Sequence, residues 1–280
     1  MNASQRDVWE RYGREHPYYG VLTWSSYRGR ILNDVSRNAF FSSGRHDVRR
    51  MMSLVRRHTG KAGPFERILE FGCGVGRMAL AAADYATTVV GVDVSSAMCD
   101  EATRNRDRIG INNVVFTVPE RGLSRDLPPY DLIFSYIVFQ HIPVSEGLRS
   151  LDLLLDRLKP GGVAVLHFTC HPPGSGFKAR INQLLHRIPL VRNIINALYG
   201  RGFREPAMQM NAYPFGEIIR RLQAHGITEL TSDLTNHGGW RGVAICFVNP
   251  VCSSQDAGVL QAQEGEQHQP QQQANTADGQ

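Results

Sequence analysis

From residue 65 onward, short aliphatic or β-branched runs alternate with segments of helical spacing, and no other feature limits the fold so strongly. Strand-like runs are expected at residues 67–71, 88–92, 114–118, 131–135 and 163–168, and helical ones at 77–85, 95–108 and 144–158. Ser95 stands where a helix N-cap belongs. Leu148, Leu151, Leu154, Leu155 and Leu158 recur at helical intervals before the breaker Pro160-Gly161-Gly162. Such alternation predicts an α/β fold, a parallel sheet with helices on both faces. Near the end, residues 215–225 read as a helix and 227–232 and 242–248 as strands. The link between these strands carries Asn236, Gly238 and Gly239 and is too short for a helical crossover, so the pair should run antiparallel.

Composition narrows the class. With 280 residues, 42% apolar and 20% charged, the chain suits one large domain or two small ones, not a collagen, a coiled coil or a wholly disordered protein. The longest apolar runs, such as 132–139, fall short of the roughly 18 residues of a membrane span. The opening MNASQRDVWERYGREH lacks the apolar core of a signal peptide, which predicts a cytoplasmic location. Five cysteines without a C-x-x-C pair argue against a zinc cluster or a disulfide framework, so no metal is expected. Charge is uneven: net +7 over residues 1–63, −3 over 64–168, +5 over 169–250 and −4 over 251–280. The expected divisions are a basic N-terminal helical cap at 1–63, an α/β domain at 64–250, and a disordered Gln-rich tail at 251–280. Within the domain, a basic amphipathic insert at about 172–212 carries Lys178, Arg180, Arg187, Arg192, Arg201 and Arg204. It reads as a lid with a solvated cationic face, or as a surface attracting an anionic substrate or an anionic membrane in peripheral contact.

The chemistry concentrates in ILEFGCGVGR, residues 68–77, where a strand turns toward a helix. Gly72, Gly74 and Gly76 let the backbone turn tightly and let a ligand approach closely. The spacing is G-x-G-x-G; the third glycine of a dinucleotide fingerprint would fall on Arg77. Glu70 stands two places before the first glycine, which disfavours a pyrophosphate and favours a cationic ligand. Asp93 ends the second strand, where a carboxylate either accepts from ribose hydroxyls or caps the next helix. A nicotinamide-dependent oxidoreductase is thereby the weaker reading.

These motifs, with PPYDLIFSYIVFQHI (residues 128–142) and LKPGG (158–162), resemble the class I S-adenosylmethionine-dependent methyltransferases, and the basic opening, with WERYGREHPYYGVLT (9–23) and FFSSG (40–44), looks like the N-terminal cap of their bacterial small-molecule members. The resemblance covers residues 63–168 and extends through the antiparallel pair to 248. It implies a Rossmann-like doubly wound seven-stranded sheet of order 3-2-1-4-5-7-6 with strand 7 antiparallel, and S-adenosyl-L-methionine as cofactor. It also implies that Phe71, Gly72, Cys73, Gly74 and Gly76 form the turn around the methionine and ribose, and that Glu70 holds the methionine amino end. Asp93 would bind the ribose hydroxyls, Val94 would pack on the adenine, and Glu120 would be the carboxylate after the third strand that reaches the adenine. Ser135 and Tyr136 would flank the transferred methyl.

Methyl transfer from a sulfonium is an in-line displacement in which the protein supplies alignment. A hydroxyl acceptor benefits from a general base, and His141, His167, His171 and His237, with Tyr136, are the candidates. The expected acceptor is a small molecule, methylated on oxygen, nitrogen or carbon. Two alternatives stay open: a nucleic-acid (tRNA) methyltransferase, against which the absence of an N-P-P-Y or D-P-P-Y motif counts, and a catalytically silent cofactor-binding protein.

Overall fold

The computed structural model describes residues 3–173 and 208–251. The expected Gln-rich tail, past Val251, and most of the expected basic insert lie outside the described residues. The described residues up to Asn249 form one compact unit.

Seven strands build one sheet: β1 (Phe65–Phe71), β2 (Ala86–Val92), β3 (Val114–Thr117), β4 (Tyr130–Ser135), β5 (Leu158–His171), β6 (Thr231–His237) and β7 (Trp240–Val248). Their order is β3-β2-β1-β4-β5-β7-β6. β1 to β5 pair in parallel, and β7 runs antiparallel to both its neighbours. Order and polarity are those implied by the resemblance. The buried stretches of the central strands are mostly apolar on both sides because helices cover both sheet faces, Glu70 being an exception near the end of β1. Along β1 and β4, Ile68, Leu132 and Phe134 enter one core, and Leu69 and Ile133 the other. Side-chain alternation along a strand sends neighbours to opposite faces.

Three helices precede the sheet: α1 (Ala3–Glu15), α2 (Pro17–Val21) and α3 (Asp34–Thr59). α3 opens on the Asn33 side chain, which accepts the Ser36 amide, and stops at Gly60 in the left-handed conformation. α5 (Ser96–Ile109) opens on Ser95, whose hydroxyl accepts the Met98 amide, as expected of that residue. After the single turn α6 (Pro119–Gly122), α7 (Val144–Asp156) buries Leu148, Leu151, Leu154 and Leu155 on the second core, beside α8 (Phe215–Ala224).

Three local expectations are corrected. The segment 77–85 is not one helix: only α4 (Ala79–Ala82) and a 3-10 turn, Ala83–Tyr85, form there. Pro160-Gly161-Gly162 does not end an element but lies inside β5, where the pairing with β4 shifts between Tyr130 and Leu132. The sixth strand is Thr231–His237, not 227–232. Ile227 is buried and its amide returns to Leu222 at the end of α8, so it belongs to that helix's cap. The true strand is a polar edge, with Leu234 88% exposed, and a polar edge gives little apolar signal. Its hairpin turns on Gly238 and Gly239, both at positive φ, as a two-residue loop demands.

Candidate active site

The C-terminal ends of β1, β2 and β4 open onto a cavity of about 240 Å³. Glu70, Phe71, Gly72, Cys73, Gly74, Asp93, Val94, Glu120, Tyr136 and His141 line it, so ten of the residues singled out in the sequence converge. Ligands of doubly wound sheets bind at this edge.

Glu70 is 5% exposed. It accepts the Ala79 amide at the start of α4, and its Oε2 has no partner among the described residues. Burial pushes its carboxyl up to about 8, against the pull of the Arg77 guanidinium. Asp93 is bonded on both oxygens: Oδ2 accepts the Gly74 amide and Oδ1 the Ser95 amide, each at 2.9 Å. Burial raises it to about 6 despite these amides. Asp93 therefore holds the glycine turn in register with β2 and caps the entry to α5, while its side chain still borders the cavity.

The glycines are required by protein contacts as well. A Cβ on Gly72 would lie 2.5 Å from Val138, and one on Gly74 2.5 Å from Val21 of α2. Gly76 does not border the cavity; a Cβ there would lie 2.7 Å from the Phe116 ring.

Ser135 does not reach the cavity either. It is buried and its hydroxyl donates to the Phe71 carbonyl at 2.9 Å, which pins β4 to the turn. Glu120 lies at the rim, ion-paired at 2.7 Å with Arg6 of α1. His141 is held at both nitrogens: Nδ1 donates to the Gln209 carbonyl at 2.8 Å and Nε2 accepts from the Gln140 amide at 3.2 Å. Burial lowers it to about 4, and the Trp9 ring packs edge-on at 5.1 Å. His171 is exposed at the end of β5 and does not line the cavity. His167, lowered to about 3 by burial, bonds Thr235 at 2.8 Å.

Sequence reasoning missed the roof and the floor. Arg6, Trp9, Gly20, Val21 and Leu22 of the N-terminal segment wall the cavity, fifty residues and more before the glycine turn. Glu10 anchors that segment, accepting from the Ser95 hydroxyl and the Ala97 amide at the start of α5. Beneath the turn, Arg77 is 6% exposed and ion-paired at 2.7 Å to Asp47 of α3. Ile137, in the wall after β4, has φ 60°, a conformation a β-branched residue adopts at a cost of about 1–3 kcal/mol.

The donor set fits a sulfonium amino acid nucleoside. Glu70, whose buried Oε2 has no partner among the described residues, lines a glycine-edged cavity beside a second carboxylate, a setting that an ammonium group would complete.

Residues 69–164 match the methyltransferase domain family. The matched stretch is thus a methyltransferase domain, and the strand order around it is that of the sheet the resemblance implies. Its relatives are diverse. The protein-L-isoaspartate O-methyltransferase of Thermotoga maritima is 28% identical over 179 residues, 60% of this chain and 54% of that protein. An uncharacterized RNA methyltransferase of Thermosynechococcus vestitus is 27% identical over 151 residues, 53% of this chain and 32% of the other. The chain spans less than two thirds of the length of these curated relatives. In fold it resembles the Synechocystis magnesium protoporphyrin IX methyltransferase bound to S-adenosylmethionine, with TM-score 0.55 and 17% identity over 89% of this chain and 100% of that one.

Proposed function

We propose that this protein transfers a methyl group from S-adenosylmethionine to a small-molecule acceptor beside Tyr136. The observation that carries the reading is the unpartnered Glu70 oxygen, buried in the wall of a glycine-lined cavity. Glu70 would hold the methionine ammonium, the turn at Gly72–Gly74 would run along the methionine chain, and Asp93 would face the ribose. Val94, Trp9 and Leu123 would flank the base, and Arg6 with Glu120 would close the rim. The cofactor supplies an activated methyl on a sulfonium. The protein's part is to align acceptor and methyl and to exclude water, an effect worth up to about 7–11 kcal/mol of barrier.

Isothermal titration tests the reading. S-adenosylhomocysteine should bind near micromolar, about −8 kcal/mol, and NADH should not. Binding of NADH without S-adenosylhomocysteine would replace the reading with the oxidoreductase one.

A second reading, RNA as acceptor, is favoured by the RNA methyltransferase relative and by the net +7 of residues 1–63. Filter binding of tRNA separates the two. Submicromolar affinity falling steeply with salt supports RNA, and none supports the small molecule.

A further inference from the structure

Tyr136 is a partition between two cavities. It borders the cofactor cavity and also a smaller one of about 30 Å³, lined by Asp47, Arg50, Thr235 and Asp233 among others. Its phenolic oxygen lies 3.4 Å from Nε2 of His237 in the β6–β7 hairpin, and the two rings meet edge-on at 5.7 Å. His167 completes a three-ring cluster, 5.1 Å from Tyr136 and 5.2 Å from His237. His141, the histidine that lines the cofactor cavity, has both nitrogens engaged and no free lone pair to offer.

We propose that Tyr136 and His237 form a proton-passing pair and that the acceptor group they serve is a hydroxyl. The inference rests on the methyl-transfer reading. The acceptor oxygen bonds to the methyl carbon as the carbon–sulfur bond breaks, its electron pair staying on sulfur. The acceptor's proton goes to the Tyr136 oxygen, and the tyrosine's own proton goes to Nε2 of His237. The resulting imidazolium returns its proton to water. Tyr136 would be the catalytic residue and His237, which acts through it, a positioning and accepting residue.

The surroundings suit these roles. Burial pushes the Tyr136 phenol up, so it keeps a proton to hand on; Asp47 and Asp233 act in the same direction, Arg50 and Arg77 against it. Burial pulls His237 down, so it is neutral and can accept; Arg50 adds to that, and Asp47 opposes it. The charged and titratable groups facing the pair are Asp47 and Arg50 of α3, Arg77 bound to Asp47, His167 of β5, and Asp233 of β6, ion-paired to Arg57. Asp47 is the group that would stabilise the transient imidazolium.

The test uses the full chain, 15N-labelled at histidine and bound to S-adenosylhomocysteine. His237 should be neutral and protonated on Nδ1 at pH 7, and Tyr136→Phe should shift its Nε2 resonance. An imidazolium at pH 7, or an Nε2 resonance unmoved by Tyr136→Phe, overturns the pair. In turnover with S-adenosylmethionine, phenol, aniline and thiophenol serve as matched probes. Phenol should be methylated fastest, and His237→Asn should lower kcat about 100-fold or more while S-adenosylhomocysteine affinity is unchanged. Undiminished kcat in His237→Asn, or faster aniline turnover, overturns it. A chain that fails to bind S-adenosylhomocysteine defeats the methyl-transfer reading itself, whereas binding with a His237 indifferent to Tyr136 defeats this inference alone.

Discussion

The carboxylate of Asp93 accepts the backbone amide of Gly74 at 2.9 Å, so the two sequence signals nineteen residues apart are joined by a hydrogen bond. One side chain thus shapes the glycine turn and borders the ligand cavity. Asp93→Ala should weaken S-adenosylhomocysteine binding by about 1–3 kcal/mol, the scale of a lost hydrogen bond to a charged group. It should also lower the melting temperature of the ligand-free protein, because two amides lose their acceptor. Titration calorimetry and a thermal melt check both; unchanged values in each would remove Asp93 from the site.

Glu70 should trade stability for binding. Its folded carboxyl sits near 8, above the ordinary 4.5. A raised value means the stability tied to this group is full below pH 4.5 and is lost as pH rises through 8. Glu70→Gln keeps the shape without the charge. It should melt higher than the parent, with a gap that widens from pH 6 to pH 9, while affinity for S-adenosylhomocysteine falls about tenfold or more. A gap independent of pH would mean that Glu70 is ionised throughout.

α3 and the glycine turn touch at Gly44, where an added Cβ would lie 2.1 Å from the Arg77 carbonyl oxygen. A backbone atom cannot swing aside as a flexible side chain can. Gly44→Ala should cost at least the ~1–3 kcal/mol of ordinary overpacking, a loss of several degrees in melting temperature. Full stability would place α3 farther from the turn.

The Arg6–Glu120 pair is 51% and 60% exposed at its two side chains, and such pairs contribute less than about 1 kcal/mol. Glu120→Gln should change S-adenosylhomocysteine affinity less than about fivefold in low salt, and not at all in 0.5 M salt, roughly the regime where screening is strong. A larger, salt-independent loss would show Glu120 gripping the adenine directly, as the resemblance implies.

Much of this was legible in the chain itself. Residues 68–77 announce a tight turn because glycine adopts without steric cost the positive φ found at Gly72, Gly74 and Gly76, and Glu70 just before it marks the turn for a cationic ligand. The apolar parallel strands read clearly because both sheet faces are buried. Helix α5 was legible from its cap residue, since Ser95 bonds an amide three residues away. Features carried by local geometry leave a local signature.

What remained needed the tertiary structure, because it joins residues whose separation in sequence carries no pattern. Nothing near Asp47 tells of Arg77, 30 residues on, nor near Tyr136 of His237, 101 residues on. The edge strand β6 was misplaced because solvent on its outer side removes the apolar rhythm by which strands are read. The local sequence determined the glycine turn, its two carboxylates and the parallel sheet. Long-range packing decided which carboxylate oxygen stays unpaired, which histidine keeps a usable nitrogen, and that the first two helices roof the cavity.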